Sequence, residues 1–420
     1  MSKTILLIGT LDTKGHEYEY IRDLIQARGH RAYVLDAGVL GEPTFTPDIA
    51  AVQVAEAGGS SLAELRERRD RGHALEIMGI GARALVVPLA AKSMFDGVIA
   101  LGGSGGTSIG STAMKALPVG LPKLIVSTMA SGNVAPYVDV KDITMMYSVV
   151  DVAGLNRVSR RVFANAAGAI CGMAEQPVPK TDEKPVIAAT MFGVTTACLD
   201  RLRARVEEHG YEALVFHATG SGGRSMESLI ADGFVSGVAD VTLTEWADEL
   251  VGGVLSAGPD RLDAAARAGV PQVVSVGALD MVNFGPLDTL PEKFKDRNIY
   301  IHNPEVTLVR TTAAENVKLG EIIAAKLNKT TGPTAVFIPL RGVSMIDAEG
   351  MPFHDPVADA ALFGALRSHL DRSKVDLVEL DLHINDPAFA DAMADRLLGM
   401  LDAAHLAHSQ AEPGLAGTKR

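Results

Sequence analysis

At 420 residues the chain has room for two or three domains of roughly 150 residues each. Its 47% hydrophobic and 21% charged residues are ordinary globular composition, and 42 glycines with only 5% aromatics favour an α/β protein over a β-sandwich. A formal charge of −12 without a basic run excludes sequence-independent nucleic-acid binding, which needs Lys and Arg against phosphates.

Cys171 and Cys198 are the two cysteines, and they lack metal-ligand spacing, so a reducing compartment is expected. No segment reaches about 18 uninterrupted apolar residues, and the opening "MSKTILLIGTLDTKG" is too soon broken by glycine for a signal peptide. A cytoplasmic protein with no membrane partner is the expectation.

The first strand, "KTILLIG", ends in the polar loop "GTLDTKG", with Thr10, Asp12, Thr13 and Lys14 at the start of an amphipathic helix. A lysine at that end of a helix opposes the helix dipole, and a phosphate in front of it resolves the conflict. The second strand, "RAYVLDAG", ends at Asp36, where an acidic residue of a doubly wound fold takes ribose hydroxyls.

"DGVIALGGSGGTS" is a strand running into Gly102, Gly103, Ser104, Gly105, Gly106, Thr107 and Ser108, with four glycines and three hydroxyls in the last seven residues. Such a turn lets backbone N–H groups approach an anion at a helix N-terminus, with Thr107 and Ser108 capping the helix or touching phosphate. It is neither the Walker pattern nor the dinucleotide fingerprint. "STMASGN" closes another strand with Thr128, Ser131, Gly132 and Asn133. Four loops on one edge point to a phosphate-bearing ligand.

The chain then repeats itself. "KTILLIGTLDTKGHEYEYIRDLIQARGHRAYVLDAG" returns in order, and in length to within one residue, as "KPVIAATMFGVTTACLDRLRARVEEHGYEALVFHATG", and "VGLPKLIVST" returns as "AGVPQVVSVG". Two Rossmann-like, doubly wound α/β domains with mainly parallel sheets follow: 1–178, then 183–408 after the proline-rich linker "EQPVPKTDEKP", with a disordered polar tail over 409–420. Facing domains of this kind leave a cleft at their carboxyl strand ends.

In the second copy "HATGSGGRSMESL" places His217, Ser221, Gly222, Gly223, Arg224 and Glu227 directly after a strand. Arg224 is suited to clamp a carboxylate or phosphate, and His217, Ser221 or Glu227 to move a proton. Asp280, Arg341 and Asp355 close later strands or open a helix, as members of a second site or as turn and cap residues. The strands "TAVFIPLRG" and "VDLVELDLH" each precede a helix, near 356–370 and 387–405.

Taken together, "GTLDTKG", "GGSGGTS", "STMASGN", "HATGSGGRSME" and "VSVGALDMVNFGP" resemble the UPF0261, or Tm-1-like, family, which includes the N-terminal ATP-binding part of a tomato mosaic virus resistance protein. The resemblance spans about residues 3 to 405. It implies two Rossmann-like domains, ATP on the first, and a homodimer; it implies no settled reaction. The resulting expectation is an ATP-binding protein, with Mg²⁺ reached by Asp12, that acts on a small acidic substrate as an ATP-dependent ligase or transferase. A nucleotide-independent hydrolase or lyase and a non-enzymatic nucleotide-responsive module are the alternatives.

Overall fold

The structure, a computed structural model, describes residues 2–179 and 181–411. The chain divides into two compact units, residues 1–180 and 181–420. In the first unit, β1 (Thr4–Gly9), α1 (Leu11–Ala27) and β2 (Arg31–Asp36) are followed by three helices, α2 (Ala51–Ala57), α3 (Leu62–Arg68) and α4 (Arg71–Ala91). Then come β3 (Gly97–Gly102), α5 (Ser104–Met114), β4 (Lys123–Ser127), α6 (Ala135–Val138), β5 (Thr144–Tyr147) and α7 (Arg157–Glu175). The five strands are parallel, in the order β2-β1-β3-β4-β5.

The central strands β1 and β3 are almost continuously apolar because helices cover both faces. One apolar layer, with Leu6, Ile8, Val98 and Ile125, packs against Met78, Ala82 and Ile109 of α4 and α5. The opposite layer, with Ile5, Leu7, Ile99 and Leu124, packs against Tyr18, Ile21, Phe163 and Ile170 of α1 and α7. Among the described residues α4 is the one helix long and apolar enough to cross a membrane, but Met78, Gly79, Gly81, Ala82 and Val86 bury one of its faces in this core.

In the second unit, β6 (Val186–Met191), α8 (Thr196–Glu208), β7 (Glu212–His217), α9 (Ser221–Ala231), β8 (Gly237–Thr242), α10 (Thr244–Val251), α11 (Ala264–Ala268) and β9 (Gln272–Gly277) build the same alternation. An antiparallel sheet follows, β10 (Met281–Phe284), β11 (Ile299–Asn303) and β12 (Val306–Arg310), ordered β10-β12-β11. Then α12 (Ala313–Leu327), β13 (Thr334–Pro339), α13 (Pro356–His369), β14 (Val375–Leu380) and α14 (Pro387–Ala411) complete a six-stranded sheet, β14-β13-β9-β8-β6-β7.

The sequence repeat is a structural repeat. β6 and β7 match β1 and β2 in length at six residues each, and β4 and β9 are the fourth strands of their sheets. The antiparallel sheet is an insertion that the repeat does not announce. Of the tail expected over 409–420, residues from 412 on lie outside the described residues, while 409–411 belong to α14.

Candidate functional site in the first unit

In the first sheet the strand order reverses between β1 and β3, and in open α/β sheets ligands bind in the crevice at such a point. A cavity of about 570 Å³ lies there. The loop after β1 contributes Thr10, Asp12, Thr13 and Lys14, and the glycine turn after β3 contributes Gly103, Ser104, Gly105 and Gly106. The sequence motifs separated by about ninety residues thus meet in one place.

The turn is open to the cavity. Gly103 caps α5 without a side chain, and Thr107 N is the first amide of that turn to find a backbone acceptor, Gly103 O at 3.0 Å. The amides of Ser104, Gly105 and Gly106 precede it and have no hydrogen-bond partner among the described residues. They carry the positive end of the α5 dipole. Asp12 Oδ2 accepts from Leu40 N (2.7 Å) and Gly41 N (3.2 Å), while Asp12 Oδ1 is buried without a partner among the described residues.

Several expected ligand contacts serve the fold instead. Lys14 sits at a kink in α1 and donates to the carbonyl of Val152, so a protein oxygen, and not a phosphate, resolves its position. Asp36 is corrected from ribose ligand to brace: its Oδ1 accepts from Leu11 N and Gly38 N, both at 2.9 Å, and it does not line the cavity. Burial raises its carboxyl above the usual range, opposed by those two amides. Thr107 is buried and shares a 2.6 Å hydrogen bond with Ser127 Oγ, which takes it away from any ligand. Gly102, Ser108, Thr128, Ser131, Gly132 and Asn133 also lie outside the cavity lining, and Asn133 Oδ1 accepts from Ala135 N.

Sequence reasoning missed the opposite wall, which comes from α3, α4 and the loop after β2. It is apolar at Val39, Leu40, Leu65, Leu75 and Met78 and charged at Arg66, Arg69, Asp70 and Arg71. Arg66 is fixed by the carbonyls of Val39 (2.6 Å) and Gly41 (2.9 Å). Arg69 and Arg71 form no ion pair among the described residues. Arg71 opens α4, so the dipole argument that drew notice to Lys14 applies to it equally and would have found it.

The second glycine turn, after β7, is already filled. Glu245 Oε1 accepts from Gly220 N (2.7 Å) and Gly223 N (3.0 Å), and Oε2 accepts from Arg261 Nε (2.8 Å). Arg261 also grips Asp240 through two bonds, at 2.6 and 2.7 Å. Glu227 is corrected from proton carrier to anchor, since it accepts from Arg261, Leu262 N and Ala264 N. A Cβ on Gly223 would stand 2.1 Å from Glu245 Oε2, and one on Gly222 would stand 1.8 Å from His217 O, so these glycines make room for protein atoms.

His217 is exposed against the Phe192 ring, Ser221 is exposed, and Arg224 Nε reaches Gly220 O at 3.4 Å. Asp280, Arg341 and Asp355 do separate work. Asp280 is buried under Ser344, Arg341 pairs with Asp381 at the surface, and Asp355 caps α13 through Val357 N and Ala358 N.

Fold and cavity together define a tandem of doubly wound α/β units with a cationic, glycine-floored crevice in the first. The chain belongs to the Uncharacterised protein family (UPF0261): its N-terminal domain model matches residues 3–179 and its C-terminal domain model residues 184–401. A UPF0261 protein of Clostridium tetani is 53% identical over 96% of this chain and its own full length. The ToMV resistance protein Tm-1(GCR237) of Solanum lycopersicum is 39% identical, matching 94% of this chain but 56% of the tomato protein. Solved structures align weakly: UDP-N-acetylglucosamine 2-epimerase from Rickettsia bellii at 9% identity over 96% of this chain and 98% of that one, TM-score 0.23, and Acinetobacter baumannii MurG at 12% over 95% and 100%, TM-score 0.21. Nothing about a ligand follows from such alignments.

Proposed function

We propose that the first unit binds a nucleotide, ATP, in the cavity at the β1/β3 reversal. The observation that carries this reading is the pairing, in one crevice, of three α5 amides and two arginines that have, among the described residues, no hydrogen-bond partner and no ion pair respectively. Amides at a helix N-terminus and guanidinium groups are the groups that hold phosphate. The apolar wall of Val39, Leu40, Leu65, Leu75 and Met78 suits a base, and about 570 Å³ is within the range of small-molecule pockets.

Mg²⁺ fits at Asp12, because its Oδ1 lacks a partner and the ion is commonly held by one or two carboxylates plus phosphate oxygens. That ion would neutralise phosphate charge. A reaction on a small carboxylate has less support, since Glu245 takes the amides of the second glycine turn.

Thermal and chemical unfolding with and without Mg·ATP tests the reading. At a hundred times its dissociation constant, ATP should add about 2.7 kcal/mol of stability. No stabilisation at millimolar ATP overturns it. Phosphate release across a panel of carboxylic acids then separates an ATP-dependent enzyme from a nucleotide-responsive module.

A further inference from the structure

Residues 340–355 join β13 to α13 with neither helix nor strand, and a loop of that length is uncommon in a compact unit. They run as a strap across the carboxyl ends of the second sheet. Val343 O accepts from Ala278 N after β9 (2.9 Å), Met345 N donates to Val194 O after β6 (3.0 Å), and Gly342 O accepts from Ile384 N after β14 (3.1 Å). Ile346 and Phe353 of the strap sit with Val194, Ala278, Met281 and Leu308 in a small apolar cluster, separate from the two large cores of the unit. A segment with so little core of its own can open while the rest of the fold stays closed.

One buried side chain holds the strap down. Arg310, at the end of β12, donates through Nε to Phe353 O (2.7 Å) and through Nη2 to both Asp347 Oδ1 (3.1 Å) and Asp359 Oδ1 (2.6 Å). Asp347 belongs to the strap and Asp359 to the first turn of α13. Asp280, on the turn after β9, is the third carboxylate facing this guanidinium, and it accepts from the Ser344 hydroxyl (2.7 Å). Among the described residues no second lysine or arginine pairs with any of the three. The nearby histidines meet backbone carbonyls, His354 that of Asp347 and His383 that of Ser344, while Asp355 caps α13.

Three buried carboxylates cannot all ionise against one guanidinium, and two that meet on a single nitrogen are placed to hold a proton between them. Asp359 accepts a hydrogen bond from Asp347. We infer that Asp347 and Asp359 share one proton, and that this proton latches the strap 340–355 over the carboxyl end of the second sheet. With it, the pair and Arg310 carry no net charge. When it leaves to solvent, two carboxylates repel each other across one guanidinium and the strap is released.

The sign of the pH dependence follows. Burial and the charges of Asp280 and Asp359 push the Asp347 carboxyl up to about 9, against the pull of Arg310 and the Val343 amide. In the open strap it returns to the ordinary range of about 4. The latch is therefore at full strength below about pH 4 and is lost as pH rises through about 9.

Hydrogen exchange of the full-length chain at about pH 7.5 and 9.5, above the range in which Asp280 titrates, tests the latch. Protection factors over residues 340–355, corrected for the intrinsic exchange rate at each pH, should fall at least tenfold while those of β8 stay level. Asp347→Asn keeps a donor but cannot titrate, so protection of its strap should not change with pH. Asp359→Asn removes the partner carboxylate and should abolish the pH dependence as well. Infrared spectra of the wild type should show a protonated carboxyl at the lower pH that fades at the higher and is missing from Asp347→Asn. Wild-type strap protection that ignores pH, a pH dependence that survives in both variants, or a wild type with no protonated carboxyl each overturns the inference. Should Asp347→Asn fail to fold, Asp359→Asn and the wild-type spectra decide the matter.

Discussion

At the scale of single residues, buried charge is the dominant feature of the second unit. Asp240, Glu245 and Glu227 surround Arg261, and Asp280, Asp347 and Asp359 surround Arg310. The first group is satisfied by backbone amides as well as by the guanidinium. The second is satisfied only in part: Arg310 Nη2 reaches Asp359 Oδ1 (2.6 Å) and Asp347 Oδ1 (3.1 Å), and Asp347 Oδ2 accepts from Val343 N, while Asp280 Oδ1 is buried with no partner among the described residues. Burial pushes the Asp280 carboxyl up to about 6, against the pull of Arg310 and the hydrogen bond from Ser344. The folded chain therefore retains a proton here that the unfolded chain releases near pH 4. The stabilisation is full below pH 4 and is lost as pH rises through about 6. Its size is at most about 3 kcal/mol, from roughly 1.4 kcal/mol per pH unit. Asp280→Asn has no such proton, so the stability difference between variant and wild type should shift toward the variant between pH 4.5 and 7. Parallel urea-denaturation curves at the two pH values would remove Asp280 as the titrating group.

At the scale of the element, the glycine turn serves two purposes that the sequence presented as one. A Cβ on Gly102 would meet Gly106 Cα at 2.8 Å, one on Gly106 would meet Leu101 O at 2.6 Å, and one on Gly110 would meet Ala100 Cβ at 2.5 Å. These three let α5 lie close on β3, a packing role. Gly105 is different, because its nearest neighbours are the movable ends of Leu75 and Arg71. Gly110→Val should therefore cost on the order of 1–3 kcal/mol or more by overpacking. Gly105→Val should leave the unfolding midpoint close to wild type and abolish ATP binding. Equal thermal losses in both variants would mean that all the glycines are structural. The turn's position was legible, because four glycines between a strand and a helix have few other readings. Which glycine faces a ligand was not legible, because that depends on how α4 crosses α5.

At the scale of the whole molecule, the repeat made the architecture legible before any coordinate: strand, helix and strand recur in order, and equal periodicities fold into equal topologies. The antiparallel insertion escaped notice because "MVNF", "IYIHN" and "VTLVR" are short and have no counterpart in the first copy. The arginines of the cavity escaped because "RERRDR" reads as a solvated charge run; only the packing of α4 beside α5 on one face of the sheet brings Arg69 and Arg71 to the glycines' cavity. Glu245 escaped for the same reason, as one acid in an amphipathic helix. All the parts of the proposed nucleotide site lie within the first unit, and so does its core: the buried clusters on both faces of the first sheet draw on residues from Ile5 to Ala174 alone. A segment of about 180 residues with its own two-sided core is within the range of autonomous domains. Residues 1–179 produced alone should unfold in a single cooperative transition and show the same ATP-dependent stabilisation as the full chain, about 2.7 kcal/mol at a hundredfold excess over the dissociation constant. A folded fragment that ATP does not stabilise, beside a full chain that it does, would move part of the ligand's contacts out of the first unit and leave Gly105 and Arg71 insufficient to hold it.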